Sequence, residues 1–205
     1  MITINIEKRM RTYEGYRLLK VDAAIARNSV VKVTGPSGSG KTTLLKVIAG
    51  LIVPEKGKIV VNDMVWFDVE SGISLSPQKR RTGFVFQDYA LFPNMTIKQH
   101  LQYATGDADW IDELLHFAKL ETLADHKPLY LSGGQQQRLG IIRAMAMKPQ
   151  LMLMDEPFSA LDQEMRQGMI GQIKTLLQKM NTTCLIVTHN PFELDGTADS
   201  QINIA

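Results

Sequence analysis

Apolar and polar positions follow two rhythms along this chain, and the change between them divides it. Residues 2–8, ITINIEK, alternate one by one and predict an exposed-edge strand. RLLKVDAAIA (17–26) is a second strand candidate, and SVVKVT (29–34) is a compact β-branched run that reads as a buried strand ending at Gly35. TTLLKVIAGL (42–51) has helical spacing and stops at Gly50 and Pro54. KIVVNDMVWF (58–67) and TGFVFQ (82–87) each return to a strand pattern. From about 96 to 147 the texture is helical, in IKQHLQYA, ADWIDELLHFAKL and GQQQRLGIIRAMAM. After Pro149 come a strand pattern in LMLMDE (151–156), a helical stretch at about 162–180, a strand in CLIVTH (184–189), and a last short one in QINIA.

β-rich, then α-only, then α/β again: this order predicts a mixed α/β core, about 1–87 and 149–205, interrupted by a helical insertion at about 88–148. At 205 residues and 44% apolar, the chain can be one α/β domain carrying a small insertion. A net charge of +2, with both signs mixed, gives no reason to expect nucleic acid or an anionic membrane surface as a partner. The short KRR run at 79–81 reads as a solvated loop, and most of the eleven methionines read as packing. Cys184, alone of its kind and inside an apolar run, reads as an inert buried thiol, which fits a reducing compartment. MITINIEKRM has no signal-peptide stretch, and no apolar run approaches the roughly 18–20 residues of a membrane span. A membrane role is therefore expected to come through a partner.

The first candidate site is GPSGSGKTT at 35–43, which fits the G-x-x-x-x-G-K-[ST] pattern between a strand and a helix. Gly35, Gly38 and Gly40 allow tight turns that aim N–H groups inward, with Ser37, Ser39 and Thr43 in the same cradle. The helix start adds its dipole, Lys41 a fixed cation for β- and γ-phosphates, and Thr42 a hydroxyl for Mg2+. A glycine-rich turn that binds nothing is the competing reading; the lysine, the hydroxyl and the flanking elements weigh against it. LMLMDE supplies the complement, because Asp155 at the strand end can hold Mg2+ and Glu156 can polarise an attacking water. His189 and Gln87 also follow apolar strands; each alone is more often structural. Together they place polar groups at several strand C-termini, where α/β sheets bind ligands.

A second glycine-rich helix start, LSGGQ at 131–135, has Ser132 as N-cap followed by Gly133 and Gly134. Two glycines cost a helix its first-turn stability unless backbone must approach something closely. LSGGQQQR resembles the signature motif of the ABC-type ATPases, the nucleotide-binding subunits of ABC transporters. GPSGSGKT, Gln87, LSGGQ, LMLMDE, SALD (159–162) and His189 stand in that family's order across almost the whole chain.

The resemblance implies a P-loop core with a parallel central sheet, an N-terminal antiparallel β subdomain and an inserted helical subdomain. It implies ATP and Mg2+ as ligands and a head-to-tail dimer, homodimeric or with a paralogous ATPase. In that dimer Ser132, Gly133, Gly134 and Gln135 would meet the γ-phosphate of the twin's ATP. Lys41, Glu156 as base, His189 and Gln87 would be catalytic; Thr42, Gln87 and Asp155 would hold the metal. SALD would link the two sites, and Tyr13, with Tyr16 as second choice, would stack on adenine. The stretch QDYALFPNMTIKQHL is similar to the family's permease-contacting segment, with Leu91, Phe92 and Met95 as candidate docking residues and buried packing an equal reading for any one of them. Implied partners are a transmembrane permease and a solute-binding protein, with the chain peripheral on the cytoplasmic membrane face.

FVFQDYALFPNMT and DEPFSALD are similar to importers of molybdate, sulfate or thiamine. HNPFEL departs from the commoner acidic residue after the histidine and puts the following helix in question. With QINIA coming soon after the histidine, no regulatory domain is expected. A soluble ABC-type ATPase of DNA repair or the ribosome is the alternative; the long coiled coils or duplicated ATPase of those proteins are missing. A nucleotide-gated adaptor is disfavoured by Glu156 and His189, and a P-loop GTPase or small-molecule kinase by the lack of NKxD and by LSGGQ, which it would leave unexplained.

Overall fold

The computed structural model describes residues 1–12, 15–190 and 192–204. Its strands form two sheets. The first holds β1 (Ile2–Thr12), β2 (Gly15–Ile25), β4 (Lys56–Val61), β5 (Met64–Asp68) and β6 (Ile73–Ser74), antiparallel in the order β2-β1-β4-β5-β6. The second holds β3 (Val30–Thr34), β7 (Thr82–Val85), β8 (Leu151–Asp155), β9 (Thr183–Val187) and β10 (Ser200–Asn203), all parallel in the order β10-β3-β9-β8-β7. The helices are α1 (Lys41–Ala49), α2 (Pro77–Arg80), α3 (Ile97–Gln102), α4 (Ala108–Ala118), α5 (Gly133–Ala146) and α6 (Gln163–Lys179).

The period-2 split of the parallel strands builds two cores. In β8, Leu151 and Leu153 face the core that contains α1 and the antiparallel sheet, while Met152 and Met154 face the core that contains α3 to α6. Each fully buried aliphatic chain contributes about 1.5–3 kcal/mol. The parallel sheet is thus covered on both faces, which accounts for its unbroken apolar runs. Met145 and Met169 join Met152 and Met154 in the core, whereas Met1, Met64 and Met165 are exposed.

Three expectations are corrected. ITINIEK is not an edge strand: β1 pairs β2 on one side and β4 on the other. Alternation reports which face is buried and says nothing about lateral pairing. KIVVNDMVWF is not one strand but a hairpin, because Asn62 and Asp63 both take left-handed backbone, with φ of 49° and 69°. Both residue types tolerate that conformation, and it matches the twist of a two-residue turn.

KRR is not a solvated loop either. Arg80 is buried; its Nη1 donates to the Val47 and Ile48 carbonyls at 2.9 and 2.8 Å, and its Nε to Leu75 O at 3.0 Å. Val47 and Ile48 lie in the last turn of α1, where Gly50 N also donates to Val47 O at 3.0 Å and Arg80 adds a further donor. Gly50 leaves α1 at φ 81°, and a Cβ there would lie 2.7 Å from Arg80 Nε, so only glycine gives the guanidinium this position.

Between β7 and β8 lie only helices and turns. α3 and α5 each open on a full capping box, Thr96 with Gln99 and Ser132 with Gln135. Asp107 and Asp162 cap α4 and α6. Among the described residues no helix is long and apolar enough to cross a membrane. Cys184 is fully buried, and burial pushes its thiol pKa up, as an inert thiol requires.

Candidate functional site

The parallel register brings the C-terminal ends of β3, β9, β8 and β7 to one edge of the sheet. β3 runs into the glycine-rich loop, and α1 begins at Lys41. Gly35, Gly38 and Gly40 have φ of 151°, 74° and 104°, backbone that side chains disfavour. A Cβ on Gly40 would lie 2.8 Å from Met10 Sδ, and one on Gly35 would collide with the Ile204 carbonyl. Lys41 is buried, and its Nζ donates to Gly35 O and Pro36 O, both at 2.8 Å. Ser37 and Gly38 are exposed on the loop, Thr42 and Thr43 are half-buried, and Ser39 Oγ is buried without a partner.

β8 ends at Asp155, which is 2% exposed and whose Oδ1 has no hydrogen-bond partner. A buried carboxylate oxygen left unpaired is costly, so it fits a cation or a cation-bound water. Glu156 leaves the strand in left-handed backbone, φ 51°. Its Oε1 lies 2.5 Å from His189 Nε2, and its Oε2 receives a long hydrogen bond, 3.4 Å, from Gln87 Nε2. The structure therefore brings together Gln87, Glu156 and His189, three residues on three separate segments. Among the described residues no three His, Cys, Asp or Glu cluster into a metal site of their own.

Ser132 and Gly133 are exposed. Ser132 Oγ accepts from Gln135 N at 3.3 Å, and Gln135 Oε1 accepts from Ser132 N at 2.8 Å, so both side chains cap α5 within this chain. Gly134 has a local reason too, since a Cβ there would lie 3.3 Å from Leu161 Cδ2, whereas a Cβ on Gly133 would meet only Ala160 Cβ at 3.9 Å. SALD is packed beside the signature turn, with Ser159, Ala160 and Asp162 exposed. Tyr13 lies outside the described residues; Tyr16 is exposed on β2.

After His189, Thr188 Oγ1 accepts from Asn190 N and Asn190 Oδ1 from Phe192 N, both at 3.0 Å. Residues 192–197 form turns, not a regular helix. Leu91 and Met95 are half-buried and Phe92 is exposed. Phe92 packs on His100 and Tyr103, and Arg143 reaches over its ring.

Sequence reasoning passed over Gln137, a fully buried amide touching the Glu156 carbonyl, Ser159 and Ala160. A polar residue on the core face of a helical pattern was the available signal.

A doubly covered parallel sheet with a phosphate loop after one strand and an acid pair after another defines a P-loop nucleotide-binding fold. Within that class the chain belongs to the ABC transporter family, whose pattern matches residues 18–159. It is 40% identical over 202 residues to the molybdenum import ATP-binding protein ModC of Photorhabdus laumondii, covering 98% of this chain and 56% of that protein. It is 38% identical over 194 residues to the probable sulfate/thiosulfate import ATP-binding protein CysA of Chlorella vulgaris, covering 91% of this chain and 79% of that one. The chain spans about half the length of the curated molybdenum-import relatives it matches. A dimeric ATP-binding cassette in a post-hydrolysis state, bound to ADP and Pi, superposes with a TM-score of 0.82 at 30% identity, covering 100% of this chain and 94% of that one.

Proposed function

We propose that this chain is the ATP-binding and ATP-hydrolysing subunit of an ABC importer, acting as a head-to-tail dimer beneath a separate membrane permease. The observation that carries the reading is the Glu156 carboxylate, held between His189 and Gln87 at the sheet edge that also bears the phosphate loop. Lys41 and the loop N–H groups bind the β- and γ-phosphates. Glu156 takes a proton from the attacking water, and His189 holds that water and the γ-phosphate.

Thr42, Asp155 and Gln87 would hold Mg2+, and the orphaned Asp155 oxygen suits that role. When bound, the ion neutralises phosphate charge. Ser132 and the following glycines complete the twin's site, so ATP favours the closed dimer through differential binding and hydrolysis releases it. In this reading residues 1–87 and 149–205 form the catalytic core, 88–148 the helical subdomain, and the exposed Phe92 face the permease. The chain then lies on the cytoplasmic membrane face, with a solute-binding protein outside. The solute contacts the permease and binding protein, so residues here need not encode it.

The test is co-purification from native membranes with identification of the partner. Recovery of a polytopic permease is the expected result. Recovery of ribosomes or DNA without a membrane protein would overturn the transport reading.

A further inference from the structure

Gln137 sits one turn into α5, below the signature serine, and its side chain is fully buried. All three of its hydrogen bonds go to one short segment. Nε2 donates to Glu156 O and to Ser159 Oγ, each at 3.4 Å, and Oε1 accepts from Ala160 N at 3.2 Å. That segment begins with the carboxylate at the sheet edge and ends in SALD. Glu156 is also the one residue of this group in left-handed backbone, a conformation that persists in a non-glycine residue only when its surroundings hold it. A hydrogen bond to the Glu156 carbonyl fixes the peptide plane that follows, and with it the direction in which the carboxylate leaves the chain.

Resting on the ATPase reading above, we propose that Gln137 is a positioning residue for hydrolysis: it ties the signature helix to the backbone of Glu156 and to SALD. It touches no nucleotide group itself. Two of its bonds are long, so they have slack to shorten when a partner presses on Ser132 or Ser159, and that shortening sets Glu156 for attack. The amide is suited to this because it gives two donors and an acceptor without charge in a buried site. The signature turn and the general base of the same chain thus share one side chain, a route by which occupancy of one site is felt at the other.

The test uses the full chain and two variants. Gln137→Met keeps the volume and removes every hydrogen bond. Because Ser159 and Ala160 are exposed and their freed groups can turn to water, we expect it to stay folded with melting lowered by only a few degrees, and to bind a fluorescent ATP analogue with unchanged Kd. Its kcat for phosphate release should fall by about 10- to 100-fold. Gln137→Glu adds a readout that packing cannot mimic. Burial raises the pKa of such a carboxyl, and once protonated it again offers an O–H to Glu156 O. The ratio of its kcat to that of the wild type should therefore rise as pH is lowered from about 9 to 6.

Wild-type kcat in Gln137→Met, or a ratio for Gln137→Glu that stays flat across that range, overturns the inference. So does a joint loss of melting temperature and nucleotide binding in both variants, which would leave Gln137 a packing residue. A wild-type chain that binds ATP but releases no phosphate would sink the ATPase reading itself, and this inference with it.

Discussion

His189 Nε2 and Glu156 Oε1 stand 2.5 Å apart because β8 and β9 are parallel neighbours in register, with Asp155 opposite Val187. The pairing extends one residue further through Glu156 N, which donates to Val187 O at 3.1 Å. Beyond that bond the two chains diverge, and the left-handed turn at Glu156 leaves its carboxylate against the imidazole.

Replacing that carboxylate separates binding from chemistry. Glu156→Gln keeps an acceptor for His189 but cannot take a proton from water. It is expected to bind ATP, to lose at least about 100-fold in phosphate release, and to accumulate as a dimer with Mg-ATP. Size-exclusion chromatography checks this; only monomer, under conditions where the wild type dimerises, would contradict it.

Lys41→Ala removes the fixed cation of the phosphate loop. The ammonium is held by Gly35 and Pro36 carbonyls, so its position is set before any phosphate arrives. ATP turnover should be abolished, measured as phosphate release with saturating Mg-ATP. Normal turnover would refute the phosphate-loop assignment.

Ser132→Arg should leave ATP binding by the monomer intact and block turnover, since the proposed γ-phosphate contact lies in the twin. It also removes the α5 cap, at a cost of about 1 kcal/mol, so melting should shift modestly. Mixed dimers that carry one Ser132→Arg copy decide the geometry. The defect is expected in the site whose phosphate loop belongs to the other copy.

Much of the geometry of the candidate site was legible in the chain, for a physical reason. A phosphate cradle needs glycine φ values and a lysine at fixed spacing, and a buried parallel strand ending in acids is hard to build any other way. Gln87, Glu156 and His189 were each ambiguous in isolation; adjacency of β7, β8 and β9 makes them a group, and strand order is not written in any one segment. What escaped was long-range or local in a different sense. The partners of Gln137 lie across the core from its helix. Arg80 looked solvated because charge runs usually are, and its carbonyl partners sit in α1 and beyond. The Asn62–Asp63 turn did carry a local signal, but the apolar residues flanking it read as one continuous strand.

Arg80 carries a stability prediction. Arg80→Met leaves the Val47, Ile48 and Leu75 carbonyls without that donor in a buried site. The expected loss is about 2–4 kcal/mol. In a chain of this size that is roughly a 5–15 °C fall in melting temperature. Calorimetry checks it, and an unchanged melting point would show that the carbonyls find other partners.

His100 makes stability sensitive to mild acid. Its Nε2 accepts from Phe92 N at 2.9 Å, and its Nδ1 donates to Thr96 O at 2.7 Å, so the ring is held neutral. Burial holds its pKa below the ordinary 6.5; the Thr96 carbonyl opposes this and Arg143 adds to it. The unfolded chain therefore takes up the proton first, and the stability present above about pH 6.5 is lost as pH falls toward the lowered value. Glu7 and Asp68, held low chiefly by hydrogen bonds from Lys56 and Lys58, act only in stronger acid. Melting temperature should drop between about pH 7 and 5, and His100→Gln should flatten that slope.

α5 carries two arginines that reach in different directions. Arg138 Nη1 donates to the Ala118 carbonyl at the end of α4, and Arg143 Nη1 and Nη2 donate to Ala90 O and Tyr89 O at 2.5 and 2.9 Å. Planar guanidinium forks resist bending where a single ammonium would swivel. If a permease docks at Phe92 as proposed, Arg143 joins that contact to the far end of α5, and the same helix opens at the serine that the twin's nucleotide would meet.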